Sequence, residues 1–172
     1  MKSIIIGLLI VVAFSDTTQV IKEASIKLDF SEEWFLADKP SNENILGYIF
    51  KRQPIVDKTG LKVIPNIAVW VETIPPDIDI VTYSAHWRIK IPFKVKSMFV
   101  YDDPKREVDF TFVNAVGFQS EYTDSKGRPH NTYYIYAING NKGIQIIFDS
   151  TTSVFDIADK EFRRTIKSIQ KM

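Results

Sequence analysis

The side chains in this sequence that could do chemistry are few and widely spaced. His86 and His130 are the only imidazoles, and cysteine is absent. Without cysteine there is no thiolate catalysis, no cysteine-ligated zinc and no disulfide. Neither histidine has a second donor at H-x-x-x-H spacing, so zinc would need both histidines and a carboxylate gathered by the fold. His86 sits beside Trp87 in a helical pattern, which predicts a helix-surface residue. His130 follows Pro129 at a hairpin edge, which predicts an exposed turn residue. No serine lies in a G-x-S-x-G elbow, so a Ser-His-Asp triad has no motif behind it.

The paired acids are Glu32–Glu33, Asp77 with Asp79, and Asp102–Asp103. Adjacent carboxylates point apart on a strand, whereas glycosidases need two acids facing one bond, so these pairs read as solvated turns. Asp102–Asp103 with nearby carbonyls offers a weak calcium ligand set, without EF-hand spacing. Gly140-Asn141-Lys142-Gly143 lacks the P-loop spacing and a following helix, and reads as hairpin chemistry. No catalytic, metal or cofactor-binding residue is assigned, and the chain reads as a non-enzyme. The aromatics are the remaining candidates. Tyr133, Tyr134 and Tyr136 fall in one strand, with Trp70 and Trp87 elsewhere. Alternation puts Tyr134 and Tyr136 on one face and Tyr133 on the other. These five residues form either a contact surface for a partner or apolar ligand, or sheet packing beneath helices.

The elements that must position them follow from hydrophobic periodicity. Ile26, Leu28 and Phe30 alternate as a strand after a loose segment over 16–25, and Ile45 to Lys51 is a second strand. Residues 52–61 read as a connection broken by Pro54 and Gly60. In Val63 to Ile74, Ile67, Val69 and Val71 share one face, while Ala68, Trp70 and Glu72 share the other. Pro75–Pro76 ends that strand, and Asp77 stands as N-cap of a helix over 77–89. Strands follow over 94–101, 108–118, 118–123, 132–138 and 143–149, with a tight turn starting at Asn139–Gly140. The chain closes with an amphipathic helix over 153–171, its stripe formed by Phe155, Ala158, Phe162, Ile166 and Ile169. Ser153 and Asp156 resemble a capping box there. Lys160, Arg163, Arg164 and Lys167 lie mostly off the stripe, a basic face suited to solvent, anionic lipid or an acidic partner. Without alternating βα units, this order predicts an α+β fold with a mainly antiparallel sheet covered by helices.

The first residues speak to compartment. Lys2 precedes an apolar run from Ile4 to Phe14, and Ala13-Phe14-Ser15 ends it as a signal cleavage site would. A spanning helix needs about 20 apolar residues, more than this run offers. The expected organisation is a signal peptide over 1–15, the loose segment 16–25 and one domain over 26–172. Localisation is then extracytoplasmic, periplasmic or secreted, with no transmembrane segment after cleavage. With Lys2 removed, basic and acidic residues balance, which argues against nucleic acid as a partner.

In element order and hydrophobic pattern over about 26–170, the chain resembles the PsbP-like superfamily, named for an extrinsic subunit of the photosynthetic oxygen-evolving complex. That superfamily includes DcrB-like exported bacterial proteins. The features that carry the resemblance are the early strand with Trp34, the long strand 63–74, and the proline-bounded helix 77–89. The Tyr/Phe-rich meander 108–149 and the closing FRRTIKSI at 162–169 complete it. The resemblance implies an α-β-α sandwich and a protein that binds or assembles with other proteins instead of catalysing a reaction. It transfers no catalytic residue and no photosynthetic role. The expected function is a non-catalytic binding or assembly factor meeting another envelope protein. A carrier of a small apolar ligand is the alternative, and a hydrolase the least supported.

Overall fold

The computed structural model describes residues 16–91, 93–100 and 114–172. The proposed signal stretch, Asp102–Asp103 and the 108–113 part of an expected strand lie outside the described residues. In chain order the strands are β1 (Thr17–Ile21), β2 (Ile26–Phe30), β3 (Trp34–Asp38), β4 (Ile45–Arg52), β5 (Ile55–Val56) and β6 (Lys62–Val63). β7 (Asn66–Thr73) precedes helix α1 (Ile80–Arg88). Then come β8 (Lys94–Val100), β9 (Ala115–Thr123), β10 (Pro129–Asn139) and β11 (Lys142–Thr151), before helix α2 (Phe155–Ser168) and β12 (Gln170–Lys171).

A seven-stranded sheet, β3-β4-β7-β11-β10-β9-β8, forms the frame, beside a three-stranded sheet β1-β2-β12 and the small β5-β6 pair. Every strand pairing among the described residues is antiparallel, as the predicted α+β class requires. Short turns make the central strands neighbours. β10 and β11 are joined through Gly140, at φ +60°, a conformation glycine enters without a Cβ clash. β9 and β10 are joined by a turn that Asp124 closes. Its Oδ1 accepts the backbone N–H groups of Lys126 (2.9 Å) and Arg128 (2.8 Å).

Because side chains alternate along β10, its neighbours in sequence serve opposite layers. Tyr133, Ile135 and Ala137 join Val69, Ile146 and Phe148 under α2, whose Ala158, Phe162 and Ile166 are fully buried. β2 completes this layer with Ile26, Leu28 and Phe30. Glu161 of α2 is clamped to the far edge of the sheet. It accepts Trp34 Nε1–H at 2.7 Å, and Arg52 Nε and Nη2 at 2.9 Å each. Tyr134 and Tyr136 instead join Phe118 under α1, which contributes Tyr83 and Trp87. A helix of nine residues spans only part of that face.

Several expectations are corrected. The segment read as loose over 16–25 contains β1, which runs antiparallel to β2 from Thr17↔Phe30 to Ile21↔Ile26, with Ile21 and Ala24 buried. Ser25, at φ +50°, makes the tight reversal that a glycine would have advertised. The strand predicted from 63 begins at Asn66, because Pro65 separates it from the β5-β6 pair. In that pair, strand β5 lies within the predicted connection 52–61, and β6 follows directly after it. Helix α1 starts three residues later than Asp77. Its N-cap is Asp79, whose Oδ1 accepts Thr82 N–H at 2.8 Å, because a turn from Pro75 to Ile78 uses up the preceding residues. The Ser153–Asp156 capping box does not form. Thr152–Val154 is a 3-10 turn, and the Ser153 and Thr151 hydroxyls pair with each other at 3.1 Å. Residues 170–171 leave the helix to pair with β2 as β12.

Candidate functional site

Four of the five aromatic candidates share a face of the sheet. Trp70 lies opposite Gln145 across β7-β11, and Gln145 lies opposite Tyr136 across β11-β10, so Trp70 and Tyr136 stand in one cross-strand row. Tyr134 is two residues along from Tyr136. Trp87 comes down from α1, where its Nε1–H and the Tyr83 hydroxyl both donate to Glu72 Oε1, at 2.7 and 2.9 Å. Burial, and next the Glu72 charge, push the Tyr83 hydroxyl far above its ordinary pKa, so it stays a donor. Tyr133 is separate. It lies under α2, donating to Asp159 Oδ1 at 2.6 Å and accepting from Arg163 Nη2 at 2.7 Å. Packing is therefore the main use of Tyr133, Tyr134 and Tyr136, while Trp70 and Trp87 remain half-buried.

The part of this face beyond α1 contains an open cleft. It lies between Arg88 at the end of α1, Ile91 and Phe93 in the following segment, Val95 of β8, and the floor of Phe118, Tyr134 and Tyr136. It is shallow and open to solvent, with only about 20 Å³ of water-sized space. The Phe93 ring stacks on Tyr122 at 4.3 Å and 12°, and sits 5.6 Å from Tyr134. The Arg88 guanidinium lies 5.4 Å from the Phe118 ring centre, a cation–π contact. Burial raises the Tyr136 hydroxyl to about 12, against a smaller downward pull from Arg88, and burial drives Tyr134 higher still. Both are neutral O–H donors at any physiological pH. Sequence reasoning named the two tyrosines but missed the cleft, because its walls come from segments some thirty residues apart that only β8-β9-β10 pairing brings together.

His130 is the second surprise. Expected at an exposed turn, it is only 8% exposed, because β10 begins at Pro129 and runs between β9 and β11 from its first residues. Its Nδ1 faces both Asp149 oxygens, at 3.0 and 3.1 Å, and the Tyr122 hydroxyl at 3.2 Å. Its ring stacks on Tyr122, 4.7 Å between centres, and Nε2 lies 3.5 Å from Asp124 Oδ2. No serine or threonine hydroxyl hydrogen-bonds this imidazole among the described residues. The arrangement ties the β9-β10 turn to β11. His86 lies exposed on α1, as expected, 2.8 Å from Lys90 Nζ. Among the described residues no cluster of His, Asp and Glu is arranged to hold a metal ion.

The same turn carries a pH prediction. The N–H and then the guanidinium of Arg128 hold the Asp124 carboxyl down at about 2, against an ordinary value of 3.8. A depressed carboxyl stabilises the fold fully above the unfolded value and loses that contribution as pH falls through the folded one. The turn is thus expected to keep its Asp124 bonds to below pH 3. A carbon-13 titration of the Asp124 carboxyl should give a midpoint near 2, moving upward in Arg128→Ala. A midpoint near 3.8 in the unmodified chain contradicts the clamp.

No protein-family profile matches the chain, and no curated protein matches its sequence. Solved structures do match. The cyanobacterial PsbP (CyanoP) of Synechocystis sp. PCC 6803 is similar with a TM-score of 0.59 at 12% identity, covering 96% of this chain and 98% of its own. LpqN, described as involved in cell envelope biogenesis of Mycobacterium tuberculosis, gives 0.56 at 13% identity, covering 91% and 90%. A Bacteroides thetaiotaomicron protein gives 0.52 at 9% identity over 90% of this chain, which spans only 48% of that protein's length. Identities this low speak to fold alone, and the fold is PsbP-like, as the element order implied.

Proposed function

We propose that this chain is an exported, non-catalytic binding or assembly factor of the cell envelope that meets its protein partner through the α1 side of the sheet. The observation that carries the reading is the outer flank of α1. Val81, Ala85 and Ile89 recur at four-residue spacing, and Val81 and Ile89 are 68% and 84% exposed. No described element covers this apolar stripe, and it borders the open cleft at Arg88. An apolar stripe with a guanidinium and aromatic rings beside it has the composition of an interface core.

Four further points support the reading. The fold is shared with LpqN, described as an envelope-biogenesis protein, and with CyanoP. The signal-like start of the sequence is that of an exported chain. No helix among the described residues is long and apolar enough to cross a membrane. Among the described residues neither imidazole is hydrogen-bonded to a serine or threonine hydroxyl.

The test is a single substitution. Ile89 makes no core contact, so Ile89→Asp should leave circular dichroism and melting unchanged while releasing a partner that co-purifies with the unmodified protein from its host's envelope. Retention of the partner by Ile89→Asp places the interface elsewhere.

A further inference from the structure

The β5-β6 hairpin turns apolar side chains outward where the fold has no use for them. Its inner face is already seated: Ile55 and Val63 pair across the two strands and are 8% and 5% exposed, in a cluster with Val154. Its outer face carries Val56, which stands opposite Lys62, and Ile64 two residues along from Lys62. Val56 and Ile64 are 58% and 50% exposed, and Leu61 in the turn is 47% exposed. The turn that presents them is fixed. Gly60 takes φ +86°, and Asp57 N–H donates to the Leu61 carbonyl at 2.9 Å. Asp57 Oδ1 accepts the N–H groups of Thr59 (2.8 Å) and Leu61 (3.0 Å).

Charge and composition select what such a face meets. Residues 54–64 carry Lys58 and Lys62 against Asp57 alone. The Asp57 carboxylate is turned back into the turn, where Oδ1 also accepts the Thr59 hydroxyl at 2.6 Å. Lys58 and Lys62 are exposed, and neither forms an ion pair among the described residues. A protein interface is built around aromatic and arginine anchors and is poor in lysine, whereas residues 54–64 hold no aromatic and no arginine. Aliphatic tips beside lysines on long stems suit the boundary between acyl chains and anionic headgroups. The tips enter, and the ammonium groups stay at the level of the lipid phosphates.

The position of the hairpin points the same way. Thr17 pairs with Phe30, Trp34 pairs with Arg52, and Gln53 N–H donates to the Glu33 carbonyl at 2.8 Å. The start of β1 therefore stands at the end of the fold from which the hairpin extends. The apolar run Ile4–Phe14 lies just before it in sequence. The end of the fold that follows the export segment is thus the end that carries the hairpin.

We infer that the β5-β6 hairpin docks this protein on an anionic membrane surface, with Val56, Leu61 and Ile64 entering the headgroup region and Lys58 and Lys62 held at the lipid phosphates. The inference does not depend on a protein partner at Ile89, and either can fail without the other.

A chain without cysteine takes a single label cleanly. Leu61→Cys in the full chain carries one polarity-sensitive fluorophore on the hairpin. Asn141→Cys carries the same fluorophore at the opposite end of the sheet, where the Asn141 carbonyl accepts Ile74 N–H at 3.0 Å. With vesicles of phosphatidylcholine holding about one-quarter phosphatidylglycerol, the Leu61→Cys probe should shift to the blue and lose access to aqueous iodide. The Asn141→Cys probe should not change. Lys58→Gln combined with Lys62→Gln should leave circular dichroism unchanged and weaken the hairpin response about twentyfold, from about fivefold per lysine. Vesicles of phosphatidylcholine alone should give a response at least as weak. A Leu61→Cys probe that stays open to iodide, or equal protection of both probes, would overturn docking by the hairpin. An undiminished response in the double lysine variant, or on phosphatidylcholine alone, would overturn the anionic surface as its target. A blue shift with envelope protein but none with vesicles would make the hairpin a protein contact instead, and overturn the inference.

Discussion

Phe162→Ala is expected to cost more stability than any other single truncation in the chain, about 3–5 kcal/mol. Phe162 is fully buried where α2 meets the sheet. Its ring lies edge-on to Phe148 at 5.4 Å and tilted against Trp34 at 5.9 Å, with Phe155 at 6.3 Å. The neighbours cannot close over the gap. Trp34 is pinned through its Nε1–H to Glu161, and Glu161 is held in turn by both nitrogens of the Arg52 fork. The substitution therefore leaves a cavity as well as losing transfer energy, and domains of this size hold only about 5–15 kcal/mol in total. A melt followed by circular dichroism should show the midpoint falling by about 10 °C or more. A fall of only a degree or two would mean that α2 does not seat on the sheet as described.

Gly143→Ala is expected to cost about 1–3 kcal/mol, through crowding instead of a cavity. Gly143 lies in β11 under α1, and a Cβ built there falls 2.6 Å from the Cε2 and Cζ atoms of Tyr83. Backbone strain is not the reason, since its φ is outside the left-handed region. The Tyr83 ring cannot swing aside. It is 2% exposed, edge-on to Tyr136 at 6.2 Å, and its hydroxyl donates to Glu72. The helix must lift instead, which should loosen Trp87 from Glu72 and shift tryptophan emission to the red. The partner variant tests the mechanism: in a Tyr83→Leu background the same Gly143→Ala should cost measurably less, because the two residues share one contact. Additive losses would place the damage elsewhere.

Much of this architecture was legible in the chain because it is written in local periodicity. The Phe162–Ile166–Ile169 stripe marks α2, the Ile67–Val69–Val71 alternation marks the α2-facing side of β7, and Asn139–Gly140 marks the β10-β11 hairpin. What escaped is held together by distant partners. Two residues of β12 are a strand only because β2 lies beside them, and β1 carries no glycine to signal its reversal at Ser25. Asp77 and Asp79 are equally good caps on composition, and the turn made by Pro75 decides between them. His130 looked like a turn residue because Pro129 precedes it, yet both neighbouring strands reach past it and carry Tyr122 and Asp149 to its ring. The cleft has no sequence signature. Arg88, Phe93, Phe118 and Tyr134 become one surface only when β8, β9 and β10 pair.

The α1 side of the sheet is the proposed working surface. Native mass spectrometry of the protein from its host's envelope fraction, run beside Ile89→Asp, tests it most directly. The expected result is a stoichiometric complex for the unmodified chain and the bare chain for Ile89→Asp. A bare mass for both, or a complex that survives in Ile89→Asp, would contradict it.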